Sequence, residues 1–481
     1  MNSNKQKFTN DEEDVEMEEE ISDYEDGPDS DRIDDEEDDD DDDVMSENDE
    51  PSKTVSRVYI PNVTKVKKSG EKEEDNEEEL DVDYSAYVMY HRAETGFPCL
   101  SFDIIQDGLG SQPERVQQFP QTCYLVAGTQ ASKAHLNNVL ILKMDNITEV
   151  KHNDDEDEDE DEDLPNLNAI QLSHNGCVNR IRSHKIHDRY IAATWSELGS
   201  VHLWDLNPAL EAIDDPVKST KFKQNQEQQK PIFSFKGHPT EGFAIDWAPN
   251  DSGILATGDC QKNIFIWKLF ESGWSVDQLP LVGHTDSVED LQWSPNQENI
   301  LASCSVDKTI RIWDVRTKNK PAITVEEAHS ADVNVINWNI NEKAFILSAS
   351  DDGLIKVWDM RMFGRGSSSP KPVATFKHHH APITSVEWHP TDGTVFAASS
   401  EDDQITIWDL AVESDNASSA TPYNKIEDDQ NDQDINSLPP QLLFIHQGQK
   451  EMKELHWHPQ LPGVLISTAL TGFDIFRTIS A

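Results

Sequence analysis

Residues 283–316, GHTDSVEDLQWSPNQENILASCSVDKTIRIWDVR, combine a Gly-His pair, an alternating run ending in Trp293-Ser-Pro, the small-residue run Leu301-Ala-Ser-Cys-Ser, an Asp at a turn and a strand ending in Trp313-Asp314. The same grammar returns in AHSADVNVINWN…LSASDDGLIKVWDMR, with Trp358 placed 45 positions after Trp313. A period of about 40 to 45 residues is that of a propeller blade, a short sheet that must stack on copies of itself to bury its faces. Nothing else in the chain limits its fold so tightly.

Terminal strands of this type recur at Val201-His-Leu-Trp204-Asp205, Ile264-Phe-Ile-Trp267, Ile310-Arg-Ile-Trp313-Asp314, Ile355-Lys-Val-Trp358-Asp359, Ile405-Thr-Ile-Trp408-Asp409 and Phe473-Asp-Ile-Phe476. With a first blade built from Cys123–Gly128 and Asn138–Lys143 they predict an all-β, seven-bladed propeller over residues 117–481. A second Trp marks an earlier strand in five units, at Trp247, Trp293, Trp338, Trp388 and Trp457. Ten of the 12 tryptophans thus hold repeat positions, which assigns them to packing between blades and not to a base-stacking or cofactor platform.

A net charge of -53 with 36% hydrophobic residues requires charge and core to be segregated along the chain. Residues 1–80 are expected to be a disordered acidic tail, holding one apolar island, Ser56–Pro61, that could dock elsewhere, and a basic Lys65-Val-Lys67-Lys68 cluster. Further acidic insertions at 150–165 and 411–440 fall between repeat strands, where insertions map to loops. Spacing also widens near residues 207–230. Five cysteines, odd in number and without a Cys-x-x-Cys pair, suit a reducing compartment. The acidic start is unlike a signal peptide and no apolar run approaches ~20 residues, so a soluble, intracellular protein is expected.

The segment 81–110 precedes the repeats. Asp81–Arg92 predicts a helix, with Tyr84, Tyr87, Val88 and His91 on one face and Ala86, Met89 and Tyr90 on a second apolar stripe; such a helix is either more buried than most, or docks one stripe on the propeller and offers the other to a partner. Phe97–Ile105 alternates as a strand, expected to close the ring by adding to the C-terminal blade as its outer strand.

His284, Ser303 and Asp307 have the residue types of a nucleophilic triad, but the same types return at His329, Ser348 and Asp352. A repeated constellation points to structure. His378-His-His380 lacks a Cys or carboxylate at ligand spacing, and no phosphate loop, nucleophile elbow or zinc helix motif is present. No enzyme activity, metal or cofactor is expected. Dense negative charge repels nucleic acid and membranes and attracts Lys/Arg-rich proteins with salt-sensitive association. Ser22 and Ser46, each with an acidic residue three positions on, fit acidophilic kinases.

The repeat units resemble WD-repeat proteins. That resemblance implies that His284, Ser303 and Asp307 with Trp313, and His329, Ser348 and Asp352 with Trp358, form hydrogen-bonded tetrads that hold each blade's turns. Gln261 stands where Asp is expected and Ala398 where Ser is expected, so those tetrads read as incomplete. YVMYHRAETGFPCLSFDI and PPQLLFIHQG narrow the resemblance to the histone-binding WD-repeat proteins of the retinoblastoma-binding and chromatin-assembly type. The acidic N-terminus and CYLVAGTQ make the chain more similar still to a glutamate-rich, ribosome-biosynthesis group within it. The resemblance implies a nuclear and nucleolar protein that binds core histones, escorts a large-subunit ribosomal protein, or both.

By the same resemblance, a client groove would be lined by Tyr84, Tyr87 and Val88 with Leu442, Leu443 and Phe444, beside Asp428, Asp429 and Asp434. A longer HRAETGFP connection and an Asn- and Gln-rich insertion depart from the histone-binding pattern and put the groove's shape for a histone in question. The expected protein is a monomeric, non-enzymatic escort of basic proteins with no direct nucleic-acid or membrane partner. An alternative rests on Trp313-Asp-Val-Arg316 and Trp358-Asp-Met-Arg361, which resemble the boxes by which WD-repeat receptors dock on cullin-type ubiquitin ligase adaptors.

Overall fold

A computed structural model describes residues 56–57, 82–150, 165–250, 253–318, 320–363, 370–412 and 438–480. The described strands form seven antiparallel sheets, six of four strands and one of five, which are the blades of a propeller. From the axis outward, blade four runs Val288–Trp293, Ile300–Ser305, Ile310–Asp314 and Ile323–Val325. Its third strand buries Ile310, Arg311, Ile312 and Trp313 in succession, because both faces of a blade are covered by its neighbours. Small residues of the second strand sit opposite large ones of the third: Ala302 pairs with Ile312 and Ser303 with Arg311. Gly283 is small for the same reason, since a Cβ there would lie 2.6 Å from the Trp313 ring.

The second set of tryptophans ends the innermost strands and ties blades together. Trp247, Trp293, Trp388 and Trp457 each donate an indole N–H to a backbone carbonyl in the preceding blade, that of Arg182, Asp246, Asn337 and Glu387 respectively, at 2.9–3.2 Å. Side chains reciprocate: Asp246 accepts from the N–H of Trp293 at 2.6 Å, Asn337 from that of Trp388 at 2.9 Å. Trp338 is the exception and donates within its own blade, to Lys343.

The repeated His, Ser and Asp residues form the hydrogen-bonded turns of blades four and five. His284 lies 2.9 Å from Asp307 and 2.6 Å from Ser303, which accepts from the Trp313 indole at 2.8 Å. His329, Asp352, Ser348 and Trp358 repeat the arrangement. Burial alone would raise the Asp307 carboxyl; the His284 ring reverses that and holds it well below the usual carboxylate range.

Two expectations about the other blades need correction. In blade three Asp259, not position 261, supplies the carboxylate, 2.8 Å from His238, with Thr257 as the hydroxyl between His238 and Trp267. In blade six Thr406 of the third strand replaces the missing serine, 2.8 Å from both His379 and the Trp408 indole, while Asp402 holds His379. Both tetrads are therefore complete. Blade two keeps His174, Thr194 and Trp204, with the Gly176 carbonyl where the others use a carboxylate.

The ring closes differently from the sequence expectation. Phe97–Ile105 does not join the last blade; Cys99–Ile105 is the innermost strand of blade one, paired with Gln121–Thr129. The expected helix over 81–92 is a single 3-10 turn, Tyr84–Ala86, capped by Asp83, followed by the strand Tyr87–Ala93. That strand pairs with Gly472–Thr478, from Tyr87 opposite Thr478 to Ala93 opposite Phe473, and is the outer strand of blade seven. A helix would have left the edge of Gly472–Thr478 unpaired, and satisfying a row of backbone groups outweighs the local helical pattern. Buried Glu454, on the innermost strand of blade seven, closes the seam from within: it accepts from the N–H of Phe102 at 2.9 Å and pairs with Arg180 and Arg182 at 2.7 and 2.6 Å. Burial would raise its carboxyl, but the two guanidinium groups hold it well below the usual range.

The widened spacing near 207–230 contains two helices, α1 (Asn207–Ile213) and α2 (Pro216–Gln224). Asp215 caps α2 by accepting from Val217 at 2.8 Å, and Pro216 occupies the first turn, where its missing N–H costs nothing. Ala209, Ala212 and Phe222 are buried against blade one. No helix among the described residues is long and apolar enough to cross a membrane.

Candidate functional site

Strand direction alternates within each blade, so the connection between third and fourth strands always opens on one face of the ring. That face carries Val150, α1 and α2, Arg316, Arg361, residues 410–412 and 438–441, and the turn that leads into Tyr87.

Here the residues around Tyr87 come together. Leu442–Gln447 is the outer strand of blade six, and Tyr87–Ala93 the outer strand of blade seven beside it. The Tyr87 ring stacks on Tyr90 at 5.1 Å and meets Phe444 edge-on at 5.4 Å. Its hydroxyl lies 2.8 Å from Nδ1 of His446, whose Nε2 is 3.3 Å from Asp474. The Tyr90 hydroxyl donates to Asp474 at 2.9 Å and accepts from Arg92 at 2.6 Å. Burial first, and Asp474 second, push both phenols well above their usual range, so they stay neutral hydrogen-bonding groups.

Around this polar seam lies a half-buried apolar rim: Val82, Tyr84, Ala86, Val150, Leu443 and Phe444 pack on the cluster that holds Tyr87 and Tyr90. Val88, also half-buried, bulges out of the strand, and its carbonyl accepts from the N–H of Val150 at 2.9 Å. His91 reinforces the contact, its Nε2 2.7 Å from the Thr148 carbonyl. Val82, Val150 and Leu443 each flank an acid-rich stretch of sequence. Val82 follows 71–81, Val150 precedes 151–164, and Leu443 follows 413–437.

Of the candidate groove residues, Tyr84, Tyr87, Leu443 and Phe444 thus share one cluster, with Val88 on its rim. Leu442 is not among them: it packs on the cluster between blades five and six, on the other side of the bulge at Ile407–Trp408. Tyr87 is buried and serves as a floor, not as an exposed contact. Asp428, Asp429, Asp434, Ser22 and Ser46 lie outside the described residues. Sequence reasoning missed His446, Tyr90 and Asp474, which hold the floor in place. The alternation Leu442, Phe444, His446 was a usable signal, but Tyr90 was hidden by reading its segment with a helical period.

Arg316 and Arg361 stand apart on blades four and five. Each is exposed and makes a two-pronged pair with the Asp of its own strand end: Arg316 with Asp314 at 2.8 and 2.6 Å, Arg361 with Asp359 at 2.9 and 2.8 Å. Among the described residues no group of His, Cys, Asp or Glu is arranged to hold a metal ion.

The propeller and its N-terminal segment define a class. Residues 77–148 match the family model of the histone-binding protein RBBP4 and its counterpart in the CAF1 complex, and 229–268, 276–314, 320–359 and 370–409 match "WD domain, G-beta repeat". The chain is 46% identical to Glutamate-rich WD repeat-containing protein 1 of Dictyostelium discoideum, over 86% of its own length and 85% of the relative's. It is 38% identical to Ribosome assembly protein rrb1 of Schizosaccharomyces pombe, over 84% and 82%. To Protein HEAT STRESS TOLERANT DWD 1 of Arabidopsis thaliana it is 41% identical, over 86% and 92%. The chain belongs to the glutamate-rich WD repeat-containing protein family.

Proposed function

We propose that this protein is a non-enzymatic escort for strongly basic nuclear and nucleolar proteins, a large-subunit ribosomal protein or core histones, acting in ribosome biogenesis or at chromatin. One observation carries the reading: Val82, Val150 and Leu443, the flanks of three acid-rich stretches, meet on a single apolar cluster around Tyr87. A client helix seated on Tyr84, Val88, Leu443 and Phe444 would have its Lys/Arg-rich surface within reach of all three stretches at once. The acidic residues, Asp428, Asp429 and Asp434 among them, then neutralise the client and suppress premature contact with nucleic acid, while the apolar rim supplies fixed recognition. The name of one relative, a ribosome assembly protein, and the histone-binding description of the family that residues 77–148 match support the choice of client class. The test is recovery of the native protein at low and high salt with mass spectrometry of what accompanies it. A stoichiometric basic protein released by salt is expected; its absence at low salt overturns the reading.

A second reading has its own observation. Asp314 and Asp359 fix the exposed Arg316 and Arg361 guanidinium groups on neighbouring blades, as a docking pair for a cullin-ligase adaptor would require. Loss of adaptor binding on Arg316→Ala and Arg361→Ala, with basic-client binding intact, is the result that supports it.

A further inference from the structure

The innermost strands of blades three to seven end in a tryptophan, and at three joints the residue before it bonds to the following blade. Asp246 accepts from the Trp293 N–H at 2.6 Å, Asn337 from the Trp388 N–H at 2.9 Å, and Glu387 lies 2.7 Å from His456. At the same joints the following tryptophan returns an indole bond to the carbonyl of that residue.

Among the described residues the joint between blades four and five has neither device. Gln292 holds the corresponding position, and Trp338 turns its indole to Lys343 of its own blade at 2.9 Å. The inner contact comes instead from Asp290, whose carboxylate accepts from the Ile336 N–H at 3.1 Å. Exposed Lys308 adds a bond to the Ser330 carbonyl at 2.8 Å. Blade five is held more closely to blade six: Asn334 donates to the Ile383 carbonyl at 3.1 Å, Asn339 to that of Gly393 at 2.8 Å and Asn341 to that of His389 at 3.3 Å. Toward blade four it offers an apolar face, with Val333, Ile336 and Trp338 packed on Ala302, Ile310 and Ile312. Apolar packing is non-directional, whereas a hydrogen bond fixes an angle, so blades four and five stay in contact with less to hold their relative angle.

Asp290 is also set apart by its charge. It is buried, and burial pushes its carboxyl up, opposed first by Arg180 of blade two, then by the Ile336 N–H and by Arg182. The same two guanidinium groups pair with Glu454 at 2.7 and 2.6 Å, and Glu454 closes the ring against the Phe102 N–H. One pair of cations thus serves two buried carboxylates, on blades four and seven.

We propose that the joint between blades four and five is the compliant one of the ring, and that Arg180 and Arg182 couple its Asp290–Ile336 contact to the closure at Glu454. With both carboxylates present the cations are shared. Without one, both guanidinium groups turn to the other and draw its oxygens from the backbone N–H that it holds. Arg316 and Arg361 stand on blades four and five, on either side of this joint, so its flexing changes their spacing. The inference does not depend on the identity of the client at Tyr87.

Site-resolved hydrogen exchange of the full chain tests both parts. The amides of Trp293, Ile336 and Trp388 each donate to a side-chain oxygen of the preceding blade, so they are equivalent reporters of three joints. In the parent, Ile336 is expected to exchange about fivefold faster than Trp293 and Trp388. Equal or slower exchange overturns the compliant joint. Glu454→Gln is expected to speed Ile336 at least about threefold further and to leave Trp388 unchanged. No change at Ile336, or the same acceleration at both, overturns the coupling. Asp290→Asn keeps an oxygen for Ile336 and the ring closure at Glu454, so it carries the test where Glu454→Gln fails to fold. Because coupling is reciprocal, it should speed the Phe102 amide at least about threefold, with Trp388 again unchanged. A Phe102 amide that keeps its rate, or one that accelerates only as much as Trp388, overturns the coupling as well.

Discussion

The Tyr87 hydroxyl lies 2.8 Å from Nδ1 of His446, bridging the outer strands of blades seven and six through two residues 359 positions apart. The contact is buried, so removing the hydroxyl leaves a ring nitrogen without its partner. Tyr87→Phe is expected to destabilise the protein by about 1–3 kcal/mol in chemical denaturation. A double-mutant cycle with His446→Gln should show coupling of about 0.5–3 kcal/mol. Strictly additive costs would separate the two residues.

The closing strand gives a second expectation. Met89 is 1% exposed and faces a cluster that includes Phe473 and Ile475 from the C-terminal strand and Leu125 from blade one. Met89→Ala is expected to cost about 2–5 kcal/mol. Leu109→Ala, at a residue 72% exposed, is the control and should fall within about 0.5 kcal/mol of the parent.

Stability should depend on pH through His456. Burial alone would lower its imidazole, but Glu387 at 2.7 Å and Glu454 at 3.7 Å outweigh that and raise it to about 10, from 6.5. The native state therefore binds a proton that the unfolded chain releases above pH 6.5. The stabilisation is complete below pH 6.5 and is lost as pH rises through about 10. A melting series between these limits should decline in the parent and flatten in His456→Gln; parallel slopes would remove His456 as the cause.

The tetrads of blades three and four should be equivalent. Asp259→Ala and Asp307→Ala each strip a buried or nearly buried histidine of its carboxylate, and each is expected to cost about 1–3 kcal/mol. A negligible effect at Asp259 would mean that its carboxylate does not do in blade three what Asp307 does in blade four.

For client binding, Phe444→Ala removes the ring that meets Tyr87 edge-on. Its half-buried position predicts at least about tenfold weaker capture of a basic client with the near-ultraviolet dichroism of the fold retained. Affinity should also fall steeply with salt. A binding curve unaffected by Phe444→Ala would move the client to another surface.

Much of this was legible in the chain because a repeat reports its own architecture. Trp313, Trp358 and Trp408 recur at intervals of 45 and 50 residues, and each stands next to last in a third strand. Harder to read were residues whose partners come from another blade. The pattern of Tyr84, Tyr87 and Val88 fits a helix when taken alone, but Gly472–Thr478 offers an unpaired edge, and strand pairing wins. Asp259 and Thr406 were missed because a tetrad needs a carboxylate and a hydroxyl at points in space, and neighbouring positions in sequence can both reach those points.

By itself the sequence determined the seven-bladed ring, the separation of acidic stretches from core, and the segments at 81–93 and 442–447 as the distinctive ones. Periodicity and charge are local quantities, so they survive without coordinates. Only the tertiary structure decided which strand closes the ring, that Leu442 faces away while Leu443 and Phe444 meet Tyr87, and that Val82, Val150 and Leu443 share one cluster. Those outcomes depend on which distant edges and faces must be covered when the last blade meets the first, and no stretch of chain carries that information alone.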